Sequence, residues 1–147
     1  MAVRRLPVVQ EPTGEDAEAA ARPAWQWVLI GSGLLVTLWA PLAALVGVLA
    51  RAFPRWGPGA ATALVVLTLG LAAAASGYLV SRFGRRASLR HAVVGGLLGA
   101  AELWLIGLLG RAFGSPLVAG AALATISAVA AGFSALGALL FRGKLQR

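Results

Sequence analysis

The chain has 147 residues, 59% of them hydrophobic and only 12% charged, with a formal net charge of +8. Soluble domains carry about 25% charged residues, so these values exclude a water-soluble globule and require lipid to cover much of the surface. The length fits one domain. With no cysteine and one histidine, disulfides and thiolate metal sites are excluded, and we expect neither a metal nor another cofactor.

Residues 1–24 form a polar segment that contains Glu11, Glu15, Asp16 and Glu18. It has too few apolar residues to offset the entropy of ordering, so we predict a disordered tail, which a partner could order. The first apolar run starts only at Trp25 and is too long for the core of a cleavable signal, so no secretory signal is expected.

Four long apolar runs follow, at about 25–50, 60–80, 89–110 and 117–141, before a basic tail at 143–147. A helix rises ~1.5 Å per residue, so about 20 residues cross a hydrocarbon core of ~30 Å. Lipid leaves no water to satisfy a broken backbone, so each run is predicted to be α-helical. The fold class is therefore an all-α membrane protein, a compact bundle of four transmembrane helices. Pro41 predicts a tilt or kink in the first span.

The cationic residues are distributed unequally between the two sides of these spans. Ten lie on the side of the two termini, namely Arg4, Arg5, Arg22, Arg82, Arg85, Arg86, Arg90, Arg142, Lys144 and Arg147, and three lie opposite, namely Arg51, Arg55 and Arg111. The positive-inside rule then predicts cytoplasmic N and C termini. Because the charge follows span ends, it argues against nucleic acid as a partner.

The sequence also resembles itself at a shift of sixty residues. Thirteen positions between 38 and 82 are identical to their counterparts, where the composition gives about five by chance. The strongest match is Arg51-Ala-Phe53 against Arg111-Ala-Phe113, each followed by turn residues. The unit is a two-span hairpin, so the two copies share one orientation, related by an axis along the membrane normal.

Glu102 is the single charged residue in the apolar interior of the spans. An acid at a helix centre costs about 2.5–3.5 kcal/mol, so it should face protein or water. It lies within about 80° of Gly95 and Gly99, a GxxxG element that allows a neighbouring helix to approach closely. Two interpretations stay open: an ion-coupled carboxylate, or a structural group that is hydrogen bonded or paired with Arg51, Arg55 or Arg111.

The remaining polar candidates lie at the span ends. His91 is expected to be an interfacial, partly solvated histidine, with a pH-sensing or ligand role as the alternative. Arg82, Arg85, Arg86 and Arg90 form a basic cluster that anionic lipid headgroups already explain, while a specific phosphate, an acidic partner or the acidic tail could also bind there. Arg51 and Arg111 are interpreted as snorkelling anchors.

Small residues follow one another at four-residue spacing in the fourth span, at Gly120, Ala124, Ala128 and Gly132. Such stripes are typical of helix packing, either in a tight bundle or against a larger partner. Ser and Thr residues in the spans are too few for a polar conduit within one chain. We find no nucleophile elbow, P-loop, zinc-protease motif or paired intramembrane acids, so no catalytic residues are predicted.

The stretch from Ser76 to Gly96 resembles a pattern of small uncharacterised bacterial proteins with four spans. In that pattern span 2 ends in a glycine, an aromatic residue, a small residue and an arginine, a basic turn follows, and span 3 opens with Leu-x-His, here Leu89-Arg90-His91. Ser76 and Ala92 stand where glycines are usual. The resemblance covers about twenty residues, implies a multi-pass protein of the bacterial inner membrane, and implies no reaction.

These observations favour a non-enzymatic accessory, assembly or scaffolding subunit that associates with other membrane subunits or with itself. The alternative is a small oligomeric transporter or channel with Glu102 as its ion-coupled group. An enzyme stays open only if a cofactor or partner supplies the missing groups.

Overall fold

The computed structural model describes residues 23–84 and 87–145, and every regular element within them is a helix. The four helices are α1 (Ala24–Ala52), α2 (Pro58–Phe83), α3 (Leu89–Leu109) and α4 (Pro116–Leu145). All four are long and apolar enough to cross a membrane. The predicted all-α class with four candidate spans is therefore confirmed. The tail predicted to be disordered lies, apart from its last two residues, outside the described residues.

The helices begin and end close to the predicted spans, at residues whose chemistry explains the boundaries. Pro58 and Pro116 open α2 and α4, where a proline has the right φ and lacks only an N–H that would be unpaired anyway. Helix α1 runs without a break through Pro41. Helix α4 continues to Leu145, past the predicted span end at 141 and into the predicted basic tail.

Successive helices run in opposite directions, so each end of the bundle has a fixed set of segments. We call the end with the start of α1, the end of α2, the start of α3 and the end of α4 the terminal end, and the other the loop end. Helix α1 contacts α2 and α3, and α4 contacts the same two helices, with α2–α4 the most extensive contact. Corresponding helices of the two hairpins thus lie side by side.

The helix contacts differ from those expected if a two-fold rotation related one hairpin to the other. An axis along the membrane normal would make the α1–α4 and α2–α3 contacts equivalent, whereas among the described residues α2–α3 is clearly the larger. The sixty-residue repeat therefore stays a prediction for the hairpins as whole units.

The contact between α2 and α4, however, is symmetric under the same sixty-residue shift, because each helix places a glycine against a backbone carbonyl of the other. A Cβ added to Gly77 would meet the carbonyl oxygen of Ser134, and one added to Gly137 would meet that of Ala74. Residue 137 is the counterpart of 77, and 134 is the counterpart of 74. Two parallel helices here touch backbone to backbone, a geometry that only glycine permits.

The α1–α3 contact is also made by glycines. Gly31 and Gly95 face each other, with 3.7 Å between an ideal Cβ on Gly31 and the Cα of Gly95. One turn further along, a Cβ on Gly99 would lie 3.3 Å from the Leu35 side chain. Leu35 is fully buried and joins a core that contains Ala73, Ala100 and Ala130.

Candidate functional site

The structure places Glu102 in α3, seven residues before the helix ends at Leu109 and hence about 10 Å from the loop end. Its side chain is half-buried. The same stripe of α3 carries Gly95 and Gly99, which contact α1. Within the described part of the chain Glu102 forms no ion pair, and Arg51, Arg55 and Arg111 are all exposed at the loop end. Glu102 is thus beside a helix contact, without a cationic partner among the described residues.

His91 acts as a local cap for the start of α3. Its Nδ1 accepts a hydrogen bond from the backbone N–H of Ser88 at 3.0 Å and lies 2.8 Å from the Ser88 hydroxyl. This is the position where Glu or Gln usually closes a capping box. The interaction explains a histidine here without a ligand.

The basic cluster is only partly in view, because Arg85 and Arg86 lie outside the described residues. Arg82 and Arg90 are exposed at the terminal end. The guanidinium carbon of Arg82 lies 5.4 Å from the ring centroid of Phe83, within cation–π range. The cluster residues in view are therefore free to meet lipid headgroups or a partner.

The α4 stripe of small residues lies on the outside of the bundle. Ala124 and Ala128 are exposed, and a Cβ added to Gly120 or Gly132 would meet nothing within 4 Å. The stripe therefore does not pack inside a single chain. The inward face of α4 is a different one, with Ala130, Ser134, Gly137 and Ala138 buried, because α2 and α3 both approach it there.

Six hydroxyl groups of the described spans donate hydrogen bonds to backbone carbonyls. Ser76 donates to the carbonyl of Gly31 at 2.7 Å, joining α2 to α1, and Ser134 donates to that of Ala73 at 3.2 Å, joining α4 to α2. Ser32, Thr62, Thr68 and Thr125 donate to carbonyls of their own helices. Among the described residues, Ser81 Oγ is a buried side-chain oxygen without a partner. No row of free polar groups crosses the interior that the structure describes.

Sequence reasoning missed Ser76 and Ser134, the two buried hydroxyls that join helices. Each lies within three residues of a glycine, Gly77 and Gly137 respectively, in the repeat-equivalent segments of α2 and α4. A serine beside a small residue on one helix face is typical of close membrane helix contacts. The short spacing between serine and glycine was therefore the sequence signal that could have identified both serines.

Arg111 has a backbone conformation that its sequence position alone does not reveal. It has φ 53°, and its N–H and that of Ala112 return to the carbonyls of Leu108 and Gly107. These are the two bonds of a Schellman motif, whose left-handed residue is usually glycine. Its counterpart Arg51 is still inside α1.

Two open apolar grooves lie on the surface of the bundle. One, of about 470 Å³, is at the loop end between α3 and α4 and includes Trp104 and Phe113. The other, of about 310 Å³, is between α1 and α2 and includes Trp27 and Phe83. Within the described residues no three His, Asp or Glu side chains are grouped to hold a metal ion.

Comparisons with known proteins give no indication of function, so the function is inferred from the geometry. No family model, no curated protein and no solved structure matches the chain. The resemblance between Ser76 and Gly96 to small four-span bacterial proteins therefore stays a prediction.

Proposed function

We propose that this protein is a non-enzymatic accessory or scaffolding subunit that docks on another protein within the membrane. The observation that carries the proposal is the division of roles on α4. One face, with Ser134 and Gly137, packs against other helices of the chain, while a separate stripe from Gly120 to Gly132 is small, apolar and open among the described residues. Small residues at four-residue spacing favour close helix association in lipid.

The interior supports the same proposal. The three buried serines, Ser32, Ser76 and Ser134, donate to backbone carbonyls, and the core between the helices is filled by leucine and alanine. A carrier or channel within one chain needs polar groups that can exchange partners with a solute. The described interior offers a packed scaffold instead. We further propose the bacterial inner membrane, with the terminal end cytoplasmic.

The test is co-purification of the full chain in mild detergent, with mass spectrometry of what elutes with it. Ala128→Leu places a bulky side chain on the open stripe, and we expect it to remove stoichiometric partners without changing thermal stability. The matched control is Ala75→Leu, an exposed alanine on α2, which should retain them. Partners retained by both variants would contradict docking through this stripe.

One observation favours a second candidate, a small oligomeric transporter with Glu102 as its ion-coupled group. The carboxylate is half-buried in an apolar span, and it has no ion-pair partner in the described chain. Glu102→Gln separates the two functions. An accessory subunit should stay assembled and active with glutamine, whereas a coupled carrier should lose ion-driven flux in reconstituted vesicles.

A further inference from the structure

We propose that the groove between α1 and α2 at the terminal end binds one anionic phospholipid, with an acyl chain along the groove and the phosphate beside Arg82. The proposal requires that the helices span a bilayer, and it does not depend on the docking partner proposed above. It is argued from the walls of the groove, from its floor and from the charge at its mouth.

The walls have the chemistry and length of a hydrocarbon site. Five apolar side chains line the groove, Trp27, Ile30 and Leu34 from α1 and Leu79 and Phe83 from α2. From 27 to 34 the helix rises about 10 Å, so the groove runs from the terminal end into the hydrocarbon layer. No charged side chain lines it. An apolar chain laid along it makes continuous van der Waals contact.

The floor of the groove is made of closely packed side chains. Trp27 is only 7% exposed and belongs to a buried cluster with Val80 and Ala92. Its ring lies against the backbone of Gly84, where an added Cβ would come within 3.0 Å of it. Phe83, by contrast, is 55% exposed and stands as an outer wall. A preformed groove loses little entropy when a flexible chain enters it.

Positive charge stands at the mouth of this groove. The Arg82 guanidinium carbon is 5.4 Å from the ring centroid of Phe83, which is itself a wall. Helix α1 begins at Ala24, one turn before Trp27, with no side-chain cap and no acid in its first turn. The N-terminus of a helix carries partial positive charge, and this one lies one turn from Trp27 of the groove. Guanidinium and helix N-terminus are both established phosphate ligands in proteins.

Together, the apolar walls and the positive charge at the mouth of the groove fit an amphiphile with an anionic head group. A free phosphate would leave the apolar walls unused, and a zwitterionic lipid would gain less from the cation at the mouth. Phosphatidylglycerol is therefore the probe, with phosphatidylcholine of the same acyl chains as the reference.

The test is a titration of the full chain in detergent with each lipid, followed by native mass spectrometry. We expect one phosphatidylglycerol to bind in preference to phosphatidylcholine. Arg82→Gln should weaken that binding about fivefold, since one arginine near anionic lipid is worth about 1 kcal/mol. Arg90→Gln, which removes another exposed charge from the same end, should weaken it less. Equal binding of both lipids, or equal losses in both variants, would overturn the proposal.

A second pair of variants locates the acyl chain. Leu79→Phe fills the groove and should lower phosphatidylglycerol binding, whereas Leu67→Phe, at a 54% exposed position elsewhere on α2, should not. Leu79→Phe with unchanged binding would overturn the groove as the site, whatever the arginine variants show. Circular dichroism and thermal unfolding of each variant verify that the bundle is intact.

Discussion

At the scale of single residues, most charged side chains of the described residues lie at helix ends rather than at a candidate reaction site. Arg51 and Arg111 are repeat counterparts, yet the first is helical and the second is left-handed. The sequence difference just before them is Ala50 against Gly110. Because glycine is a poor helix residue, the second copy ends its helix earlier and leaves an arginine in the left-handed position.

Glycine at these two counterpart positions should have opposite effects. Arg111→Gly removes the steric cost of a left-handed side chain, so we expect the free energy of unfolding to rise by about 0.5–1 kcal/mol. Arg51→Gly puts glycine inside a helix and should lower it by about 0.5–1 kcal/mol. Both variants lose one arginine, so charge cancels in the comparison. Thermal unfolding in detergent is the measurement, and shifts of the same sign would contradict the assignment.

His91 allows a similar comparison between capping and ligand binding. His91→Ala removes the acceptor of the Ser88 N–H and should destabilise the protein by about 1 kcal/mol. His91→Gln restores an acceptor at the capping-box position and should recover most of that loss. The measurement is again thermal unfolding. If glutamine were as harmful as alanine, a role that needs the imidazole itself would be indicated.

At the scale of helices, glycine has two distinct uses in this chain. Gly77 and Gly137 allow α2 and α4 to touch through their backbones, and Gly31 and Gly95 do so for α1 and α3. A Cβ added to Gly120 or Gly132 would meet nothing within 4 Å among the described residues. Sequence spacing alone does not separate the two uses, because both kinds recur at helical intervals on long apolar helices.

Alanine substitutions distinguish these two kinds of glycine. Gly77→Ala places a Cβ against the Ser134 carbonyl, a backbone atom that cannot rotate away. The helices must separate, and we expect a loss of about 1–3 kcal/mol. Gly132→Ala meets open space and should change stability by no more than about 0.5 kcal/mol. Unfolding of both variants in detergent checks this, and equal losses would argue against the α2–α4 contact.

At the scale of the whole molecule, the charge distribution and the alternation of helices together predict a membrane topology. The exposed loop residue Gly114 lies at the loop end, where three arginines are also found. The other ten cationic residues belong to segments predicted to lie on the opposite side. The positive-inside rule therefore predicts that the loop end lies outside the cytoplasm.

Cysteine labelling tests this topology directly, because the natural chain contains no cysteine. An impermeant thiol reagent added to intact cells should label Gly114→Cys and should not label Thr13→Cys. Disruption of the membrane should make both reactive, which verifies that each thiol is present. Labelling of Thr13→Cys but not of Gly114→Cys in intact cells would contradict the predicted orientation and indicate the reverse one.

The sequence by itself determined the class, the number of helices and nearly all their boundaries. Hydrocarbon thickness fixes helix length, and the loss of water fixes helical hydrogen bonding, so both can be deduced from runs of apolar residues. It also singled out Gly95 and Gly99, which the structure places against α1.

Only the tertiary structure decided which faces meet. The stripe from Gly120 to Gly132 is the more regular pattern on α4, yet the face with Ser134 and Gly137 is the one that is buried. Lipid and protein interior are about equally apolar, so hydrophobicity does not say which face of a helix turns inward. That choice is made by backbone approach and by hydroxyl-to-carbonyl bonds between helices, which exist only once the four helices are assembled.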